Sequence, residues 1–345
     1  MVNSMIRRSR HKVVVSPWWR HAAIVLVAAV LLLAACGTRD EPPLRVATIE
    51  WIGYQPLNIA LERGELPRDE IRLAHFTSNT ESLRAFRNGN VDVAALTLDE
   101  ALLLRADGHD IRVILLMDYS HGADSILARP GIGTLAELEG RRVGVENSAA
   151  TAYLLARGLE HADLDADAVE VIRVDAGRHA EAFRRGEVDA LATFEPIRSR
   201  LLQEGAVELF DSTRIPGEIV DVLVAHRSAL QIHRRHLADL VNAWFRALNH
   251  LEQDPVDART IIARHTELSP EHLQQALDGV QFPSLADNCR ALADQGQMLQ
   301  DTTARLVEHM RKNNLLFGVV ELDTLFDDQV VQSAGCPAGS TGHAG

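Results

Sequence analysis

The sequence predicts an α/β protein built from two similar halves and followed by a long helical part. β-Rich runs alternate with helical patterns from Leu44 onward, and one helix–glycine–strand sequence occurs twice. Strands and helices that alternate with short loops are typical of a mostly parallel sheet with helices on its faces. Almost wholly helical patterning from Ser228 to about Phe317 predicts the helical C-terminal part.

The repeated sequence is AFRNGNVDVAALT at residues 85–97 and AFRRGEVDALATF at residues 182–194. In each copy a helical pattern ends at a glycine, and the VD dipeptide then leads into an apolar strand. Asp92 and Asp189 are interpreted as turn residues that accept local N–H groups. The repeat predicts two βα halves of like construction.

Other predicted strands fall on both sides of the repeat. The first half contains LRVATIE, EIRLAHF and IRVILLMD, and the second contains RRVGVE, VEVIRVD, VELFDS and IVDVLVAH. Trp244 and Phe245 have apolar neighbours at helical spacing in the later part, so we interpret them as core residues.

The first 35 residues read as a targeting segment. Arg7 to Lys12 is basic, and the apolar run from Ala22 to Ala35 has 14 residues, which is short of the roughly 20 that span a bilayer. The run ends in LAACG, which resembles a bacterial lipobox. We therefore expect cleavage before Cys36, lipidation of Cys36 and a linker over residues 36–43; an uncleaved membrane anchor is the alternative.

Charge excludes one class of partner. The chain has 35 basic and 48 acidic residues, and five of the basic residues precede Cys36, so the predicted mature chain has a net charge of −18. Nucleic-acid binding is not expected, because phosphates require a basic face. The balance is compatible with a secreted protein or a cationic ligand.

Two cysteines remain after Cys36. Cys289 and Cys336 could form a disulfide in an oxidising compartment, and a free pair is the alternative. No CxxC, HExxH or His/Cys cluster suggests a metal, and we expect no metal or cofactor. His233 and His236 share a helical pattern with arginines and are expected on the surface.

Five features in a fixed order resemble a known family. They are the lipobox, WxGYxPL after the first strand, a helix–G–xVDxA strand, a GxxVGVE strand opening a helix, and a G–xVDAxxTFEP strand. Together they resemble solute-binding proteins of bacterial ABC importers, in the nitrate/sulfonate/taurine and pyrimidine-precursor group. The resemblance covers about residues 44–317.

The resemblance implies a two-lobed type II periplasmic binding protein with two crossing strands and the ligand in the cleft. Lobe 1 is expected over residues 44–125 and 226–317, lobe 2 over 126–225, and a tail over 318–345 that looks disordered from Ser333. The implied partners are a small molecule, an importer permease and, through lipid, a membrane. We expect a monomer in the cell envelope.

Ligands of open α/β sheets lie beyond the carboxyl ends of the strands. The polar and aromatic residues at these predicted ends are the candidate ligand contacts. They are Trp51, Tyr54, Ser78, Asn79, Thr97, Asp99, Asp118, Tyr119, Ser120, Asp124, Glu146, Ser148, Thr193, Glu195 and Asp221.

Several acidic residues and almost no arginine occur in these loops. Unpaired buried carboxylates are costly, so the sequence favours a cationic or amino-heteroaromatic ligand, with a small anion such as nitrate, taurine or an alkylsulfonate as the alternative. Ser148 could cap a helix that binds an anion. Glu195 could cap a helix instead of contacting ligand, and Asp221 could pair with an arginine.

Two other functions are weighed against transport. A related branch of the fold makes a thiamine pyrimidine from pyridoxal phosphate, which needs a lysine, and this chain has only Lys12 and Lys312, far from the strand ends. We therefore expect no enzymatic activity. A sensor is the second alternative, but no helix-turn-helix or kinase accompanies the predicted lobes.

Overall fold

Two β-sheets organise the chain in this computed structural model, which describes residues 41–337. Sheet 1 has six strands in the order β11-β4-β10-β3-β1-β2. Their bounds are Leu44–Thr48 for β1, Ile71–His75 for β2, Val93–Thr97 for β3, Ile111–Ser120 for β4, Val220–His226 for β10 and Val280–Gln281 for β11.

Sheet 2 has five strands in the order β7-β6-β8-β5-β9. Their bounds are Asp124–Ala128 for β5, Arg142–Val145 for β6, Glu170–Arg173 for β7, Ala190–Phe194 for β8 and Val207–Asp211 for β9. The chain passes from sheet 1 to sheet 2 between β4 and β5, and returns between β9 and β10.

Both sheets combine a parallel part with an antiparallel inserted strand. In sheet 1, β1 runs parallel to β2 and β3, and β10 lies antiparallel between β3 and β4. In sheet 2, β6 runs parallel to β7 and β8, and β5 lies antiparallel between β8 and β9. Each inserted strand follows a crossing from the other sheet and runs against its neighbours. β1 to β4 in sheet 1 and β6 to β9 in sheet 2 share one direction, so each sheet is mostly parallel, as the sequence predicts.

Helices cover these sheets and form most of the later chain. Their bounds are Gln55–Glu62 for α1, Asn79–Arg87 for α2, Leu98–Ala106 for α3, Ala149–His161 for α4, His179–Arg185 for α5, Ile197–Gln203 for α6, Arg227–Ile232 for α7, Arg234–Gln253 for α8, Pro255–Thr266 for α9, Pro270–Asp278 for α10, Leu285–Gly296 for α11, Gln300–Lys312 for α12 and Gln329–Ser333 for α13.

The two copies of the repeat fold alike. The first copy is the end of α2 followed by β3, and the second is the end of α5 followed by β8. Asp92 accepts the backbone N–H of Arg45, and Asp189 accepts that of Arg142, each before the first residues of a parallel strand. Both aspartates lie at the turn before a strand, but the N–H groups that they accept are 47 residues away in the neighbouring parallel strand, and not local as the sequence predicts.

The core around Trp244 is buried as expected, but two histidines differ from prediction. Trp244 is fully buried in α8, and Phe245 packs partly buried against the same core. His233 and His236 are 3% and 1% exposed, not on the surface. His233 lies between α7 and α8, and His236 follows in the first turn of α8, so the three-residue spacing turns both rings inward.

The C-terminal segment is also more ordered than the sequence suggests. Cys289 in α11 and Cys336 form a disulfide, and Phe326 bridges to Val113 of β4. Leu325 and Val331 are fully buried. The segment from residue 318 to 337 therefore packs on sheet 1, because apolar residues and a covalent link hold it there.

The described residues leave the targeting segment aside. Residues 1–35, Cys36 and most of the expected linker lie outside them, as do the last eight residues. Within residues 41–337, no helix has the length and apolarity needed to span a bilayer.

Candidate functional site

The carboxyl ends of the parallel strands in both sheets lead to one gap between the sheets. β1, β3 and β4 deliver the loops of sheet 1, and β6 and β8 deliver those of sheet 2. Contacts across the gap show that these ends face each other. Glu146 accepts hydrogen bonds from the Thr80 N–H at 2.8 Å and the Thr80 hydroxyl at 3.0 Å.

Nearly all candidate residues from the sequence are buried at this gap. Tyr119 is half-buried, and the other fourteen candidates are at most 5% exposed. They do not form one group. Their contacts divide them into a pair of carboxyl groups near the crossing strands, a glutamate that caps a helix, and a set of carboxyl groups at the starts of two helices.

Asp118 and Asp221 form a carboxyl pair on the neighbouring strands β4 and β10. The Trp51 indole N–H lies 3.3 Å from both oxygens of Asp118, and the Tyr54 hydroxyl donates to Asp221. Burial and the neighbouring carboxyl group raise the pKa of Asp221, and burial raises that of Asp118 to about 8. Asp221 therefore does not pair with an arginine, and neutral donors satisfy the pair.

Gly53 allows this packing. A Cβ at this position would lie 2.2 Å from an Asp118 oxygen and 2.3 Å from the Trp51 nitrogen. The glycine in the WIGY sequence is thus required by the close approach of these groups. Trp51 also meets Phe194 of β8 edge-on, with ring centroids 5.8 Å apart.

Glu195 acts as a helix cap. Its oxygens accept from the Ser199 N–H at 3.1 Å, the Ser199 hydroxyl at 2.9 Å and Arg198 at 2.9 Å. Of the two roles weighed for Glu195, the structure contains the capping contacts. Arg198 lies just inside α6, outside the strand-end loop, and reaches back to Glu195 from the helix.

Ser120, Asp124 and Thr193 have hydrogen-bond partners within the protein. The Ser120 hydroxyl lies 2.8 Å from that of Ser212 and accepts the Asp124 N–H at 3.1 Å. The Thr193 hydroxyl lies 3.0 Å from Nδ1 of His179. Burial lowers the pKa of His179 to about 4, so this imidazole is neutral at pH 7.

Asp99, Glu100, Glu146 and Ser148, which we call the acidic cluster, have fewer hydrogen-bond partners than the residues above. Asp99 and Glu100 begin α3, and Ser148 precedes α4. Burial and the negative charges of Asp99 and Glu146 raise the pKa of Glu100, and the Ser148 side chain lies near Glu100 and Glu146. These four side chains therefore occupy one region between the sheets.

Each member of the acidic cluster has a buried oxygen without a hydrogen-bond partner among the described residues. These atoms are Oδ2 of Asp99, Oε1 of Glu100, Oε2 of Glu146 and Oγ of Ser148. Oδ1 of Asn79 and Oγ of Ser125 are also unpartnered. Buried polar groups in proteins are nearly always paired, so this concentration needs an explanation.

Burial dominates the protonation of these carboxyl groups. It raises the pKa of Asp99 to about 6, of Glu100 to about 8 and of Glu146 to about 7. Burial also raises the pKa of Asp124, which feels the charge of Asp99, to about 7. The region is acidic without a bound basic side chain, and it carries protons at neutral pH.

Helix α4 offers a contrasting feature at the same place. Its N-cap, Ser148, makes no side-chain capping bond, and its first turn has no acidic residue. In α2, by comparison, the Ser78 hydroxyl accepts the Glu81 N–H. The free N–H groups and the positive end of the α4 dipole would favour a negative group.

Two polar clamps also join the residues of the two sheets. Arg200 of α6 donates to Glu50 at 2.6 Å and to the Thr266 carbonyl at 2.6 Å. Glu160 of α4 accepts from Lys312 at 2.8 Å and Asn313 at 3.2 Å. The gap is therefore closed in this structure.

The sequence did not single out several residues of the gap. Ser125 lies inside β5, and His179 lies behind β8, so neither stands in a predicted strand-end loop. The polar start of β5, DS, was a usable signal for Ser125, whereas nothing in the sequence marks His179. Glu100 stands next to Asp99 at the same predicted strand end, but the candidate contacts include Asp99 alone.

A cavity of about 820 Å³ adjoins the gap. Ile49, His75 and Thr77, which follow β1 and β2, line it together with Gly177 from the chain between β7 and β8. Asn58 of α1 also lines it and has an unpartnered buried Oδ1. A cavity of this size is in the range of small-molecule sites.

The chain belongs to the NMT1-like family, whose sequence pattern matches residues 37–266. One relative, a "Putative binding protein" of Brucella abortus (strain 2308), is 27% identical over 55% of this chain. The chain spans 60% of the length of that relative. The taurine-binding periplasmic protein of Escherichia coli (strain K12) is 21% identical, over 65% of this chain and 77% of that protein.

Solved structures show the same fold. The alkanesulfonate-binding protein SsuA from Xanthomonas axonopodis pv. citri, bound to MOPS, has a TM-score of 0.70 and 19% identity, covering 84% of this chain and 99% of that chain. The prediction of a periplasmic-binding-protein fold is therefore confirmed. At this identity the likeness concerns the fold alone.

Proposed function

We propose that this protein is the extracytoplasmic solute-binding component of an ABC importer. It captures a small molecule between two closing lobes and delivers it to a permease. The observation that carries the proposal is the set of unpartnered buried polar atoms between the sheets, at the carboxyl ends of strands from both. The relatives named for binding taurine and alkanesulfonate support the same role.

The lobes and the location follow from this role. We propose that lobe 1 is built around sheet 1 and lobe 2 around sheet 2, with hinges at the crossings between β4 and β5 and between β9 and β10. This corrects the boundaries expected from the sequence, 125/126 and 225/226, because β5 begins at Asp124 in sheet 2 and β10 (Val220–His226) pairs in sheet 1. Lipid on Cys36 would hold a monomer at the cell envelope, where the permease docks. An enzymatic role is not proposed, since Lys312 lies at the end of α12 and pairs with Glu160.

The charge of the ligand has two candidates. Relatives named for taurine and alkanesulfonate favour a small anion, and the uncapped start of α4 supports that choice. The acidic cluster supports a cationic or amino-heteroaromatic ligand, because each unpaired carboxyl oxygen would gain a charge-assisted hydrogen bond. The relatives weigh more heavily for the anion than for the purely cationic ligand.

Calorimetry with a ligand panel tests the function. The panel contains nitrate, taurine, alkylsulfonates, alkyl amines, guanidines and aminopyrimidines, and a ligand with micromolar affinity is expected among them. X-ray scattering should show a smaller radius of gyration with a saturating ligand than without it. The difference should be largest in the variant Arg200→Ala with Lys312→Ala, whose clamps between the lobes are broken. Failure of every compound to bind, with an unchanged radius of gyration, would contradict the proposal.

A further inference from the structure

Hydrogen bonds within the protein satisfy three of the buried carboxyl groups at the gap. The carboxyl pair Asp118 and Asp221 has donors from Trp51 and Tyr54. Glu195 has three donors from α6. Within residues 41–337, none of these three carboxyl groups has an unpartnered buried oxygen.

The acidic cluster is the opposite case. One oxygen of Glu100 accepts the Thr97 N–H at 3.2 Å, and one oxygen of Glu146 accepts from Thr80, while the second oxygen of each is unpartnered. Asp99 and Ser148 add further unpartnered oxygens, and Glu100 is fully buried. Leaving such buried atoms unpaired is unfavourable, because they lose their hydrogen bonds to water without replacing them.

The chemistry of these atoms specifies what would satisfy them. An ionised carboxylate only accepts hydrogen bonds, whereas a protonated carboxyl group donates one, so the protons on Glu100 and Glu146 must leave these two groups when N–H donors bind. The Ser148 hydroxyl can donate to one neighbour alone. No lysine or arginine side chain hydrogen-bonds to Asp99, Glu100 or Glu146 within residues 41–337; Arg173 instead donates to the main-chain carbonyl of Glu146. A group with several N–H donors is therefore the complement of the cluster.

We infer that the ligand carries an amine or amidine group and that this group binds at the acidic cluster, between the starts of α3 and α4. The inference rests on the proposed function and specifies the ligand class for the same gap. A ligand with both an amine and an acidic group would also combine the anionic and cationic candidates. An amino-acid-like ligand could place its nitrogen at Asp99 and Glu100 and its acidic end at the free N–H groups of α4.

Matched ligand pairs test the inference. Taurine is compared with ethanesulfonate, and 4-aminopyrimidine with pyrimidine, by calorimetry on the full chain at pH 7. In at least one pair the amino member should bind about 10- to 100-fold more tightly, as one charge-assisted hydrogen bond predicts. Binding should also release protons, which is measured by repeating the titration in two buffers of different ionisation enthalpy.

Variants locate the group. Asp99→Asn and Glu100→Gln should each reduce the preference for the amino member to within about threefold. The matched control is Asp92→Asn, because Asp92 pairs with Arg45 at the opposite end of β3 and should leave the preference intact. Thermal unfolding of each variant checks that it is folded, and Ser148→Ala offers a second, milder change at the cluster.

The outcomes separate this inference from the proposed function. If both members of each pair bind within threefold of each other, or if the preference survives in Asp99→Asn and Glu100→Gln, the inference is wrong while the binding role stands. If neither member of either pair binds, no panel compound binds and the radius of gyration does not change, both fail.

Discussion

Neutral donors hold the buried carboxyl pair of Asp118 and Asp221, and a basic side chain does not. This arrangement requires a shared proton, because two adjacent ionised carboxylates repel strongly. Tyr54 and Trp51 complete the hydrogen bonds of that pair. All four residues belong to the predicted site set, and these hydrogen bonds join them to one another, so at the scale of single residues we expect them to stabilise the gap.

The change Tyr54→Phe tests this role. It removes the donor to Asp221 and leaves a buried carboxyl oxygen unpaired, so the free energy of unfolding should fall by about 1–3 kcal/mol. Tyr119→Phe is the control, because Tyr119 is only half-buried. Urea unfolding of both variants gives the comparison. An equal effect of the two changes would contradict the assignment.

At the scale of elements, the sequence predicts more of the order than of the pairing. Alternating patterns and the VD repeat identify β3 and β8 and place Thr97 and Thr193 at their ends. They do not predict that β10 and β5 insert antiparallel into the sheets, because pairing depends on contacts distant along the chain. For the same reason the sequence did not indicate which carboxyl groups have donors, since Arg198 and Trp51 reach them through folded geometry.

The clamp made by α6 yields a prediction at this scale. Arg200→Ala removes the contacts to Glu50 and to the Thr266 carbonyl, which join the two sheets. These groups are partly exposed, so the free energy of ligand binding should become less favourable by about 0.2–1 kcal/mol. The ligand affinity should then fall by up to roughly fivefold.

The control for the clamp lies within one half of the molecule. Arg184→Ala breaks the ion pair with Glu204. Arg184 is in α5 and Glu204 directly follows α6, so both members of the pair lie beside sheet 2. Calorimetry should show weaker binding for Arg200→Ala alone. If the two variants bind ligand equally, the clamp does not contribute to closure.

At the scale of the whole molecule, the protonated gap should govern how stability depends on pH. Burial raises the pKa of Glu100 and Asp118 to about 8, and of Asp124 and Glu146 to about 7. In the unfolded chain these groups have ordinary pKa values near 4. Between these values the folded state binds more protons, so its stability decreases as pH rises.

Other groups do not obscure the effect between pH 6.5 and 8. His179, whose pKa burial lowers to about 4, works in the opposite direction only below its unfolded value near 6.5. Arginine-paired carboxylates such as Asp92 have lowered pKa values and stay ionised throughout. The unliganded protein should therefore lose several degrees of melting temperature from pH 6.5 to pH 8. Differential scanning calorimetry measures this change, and Glu100→Gln should make it smaller because one titrating group is removed. A melting temperature that is constant or rises over this interval would mean that the gap is hydrated or open in solution, and that its carboxyl groups ionise without cost.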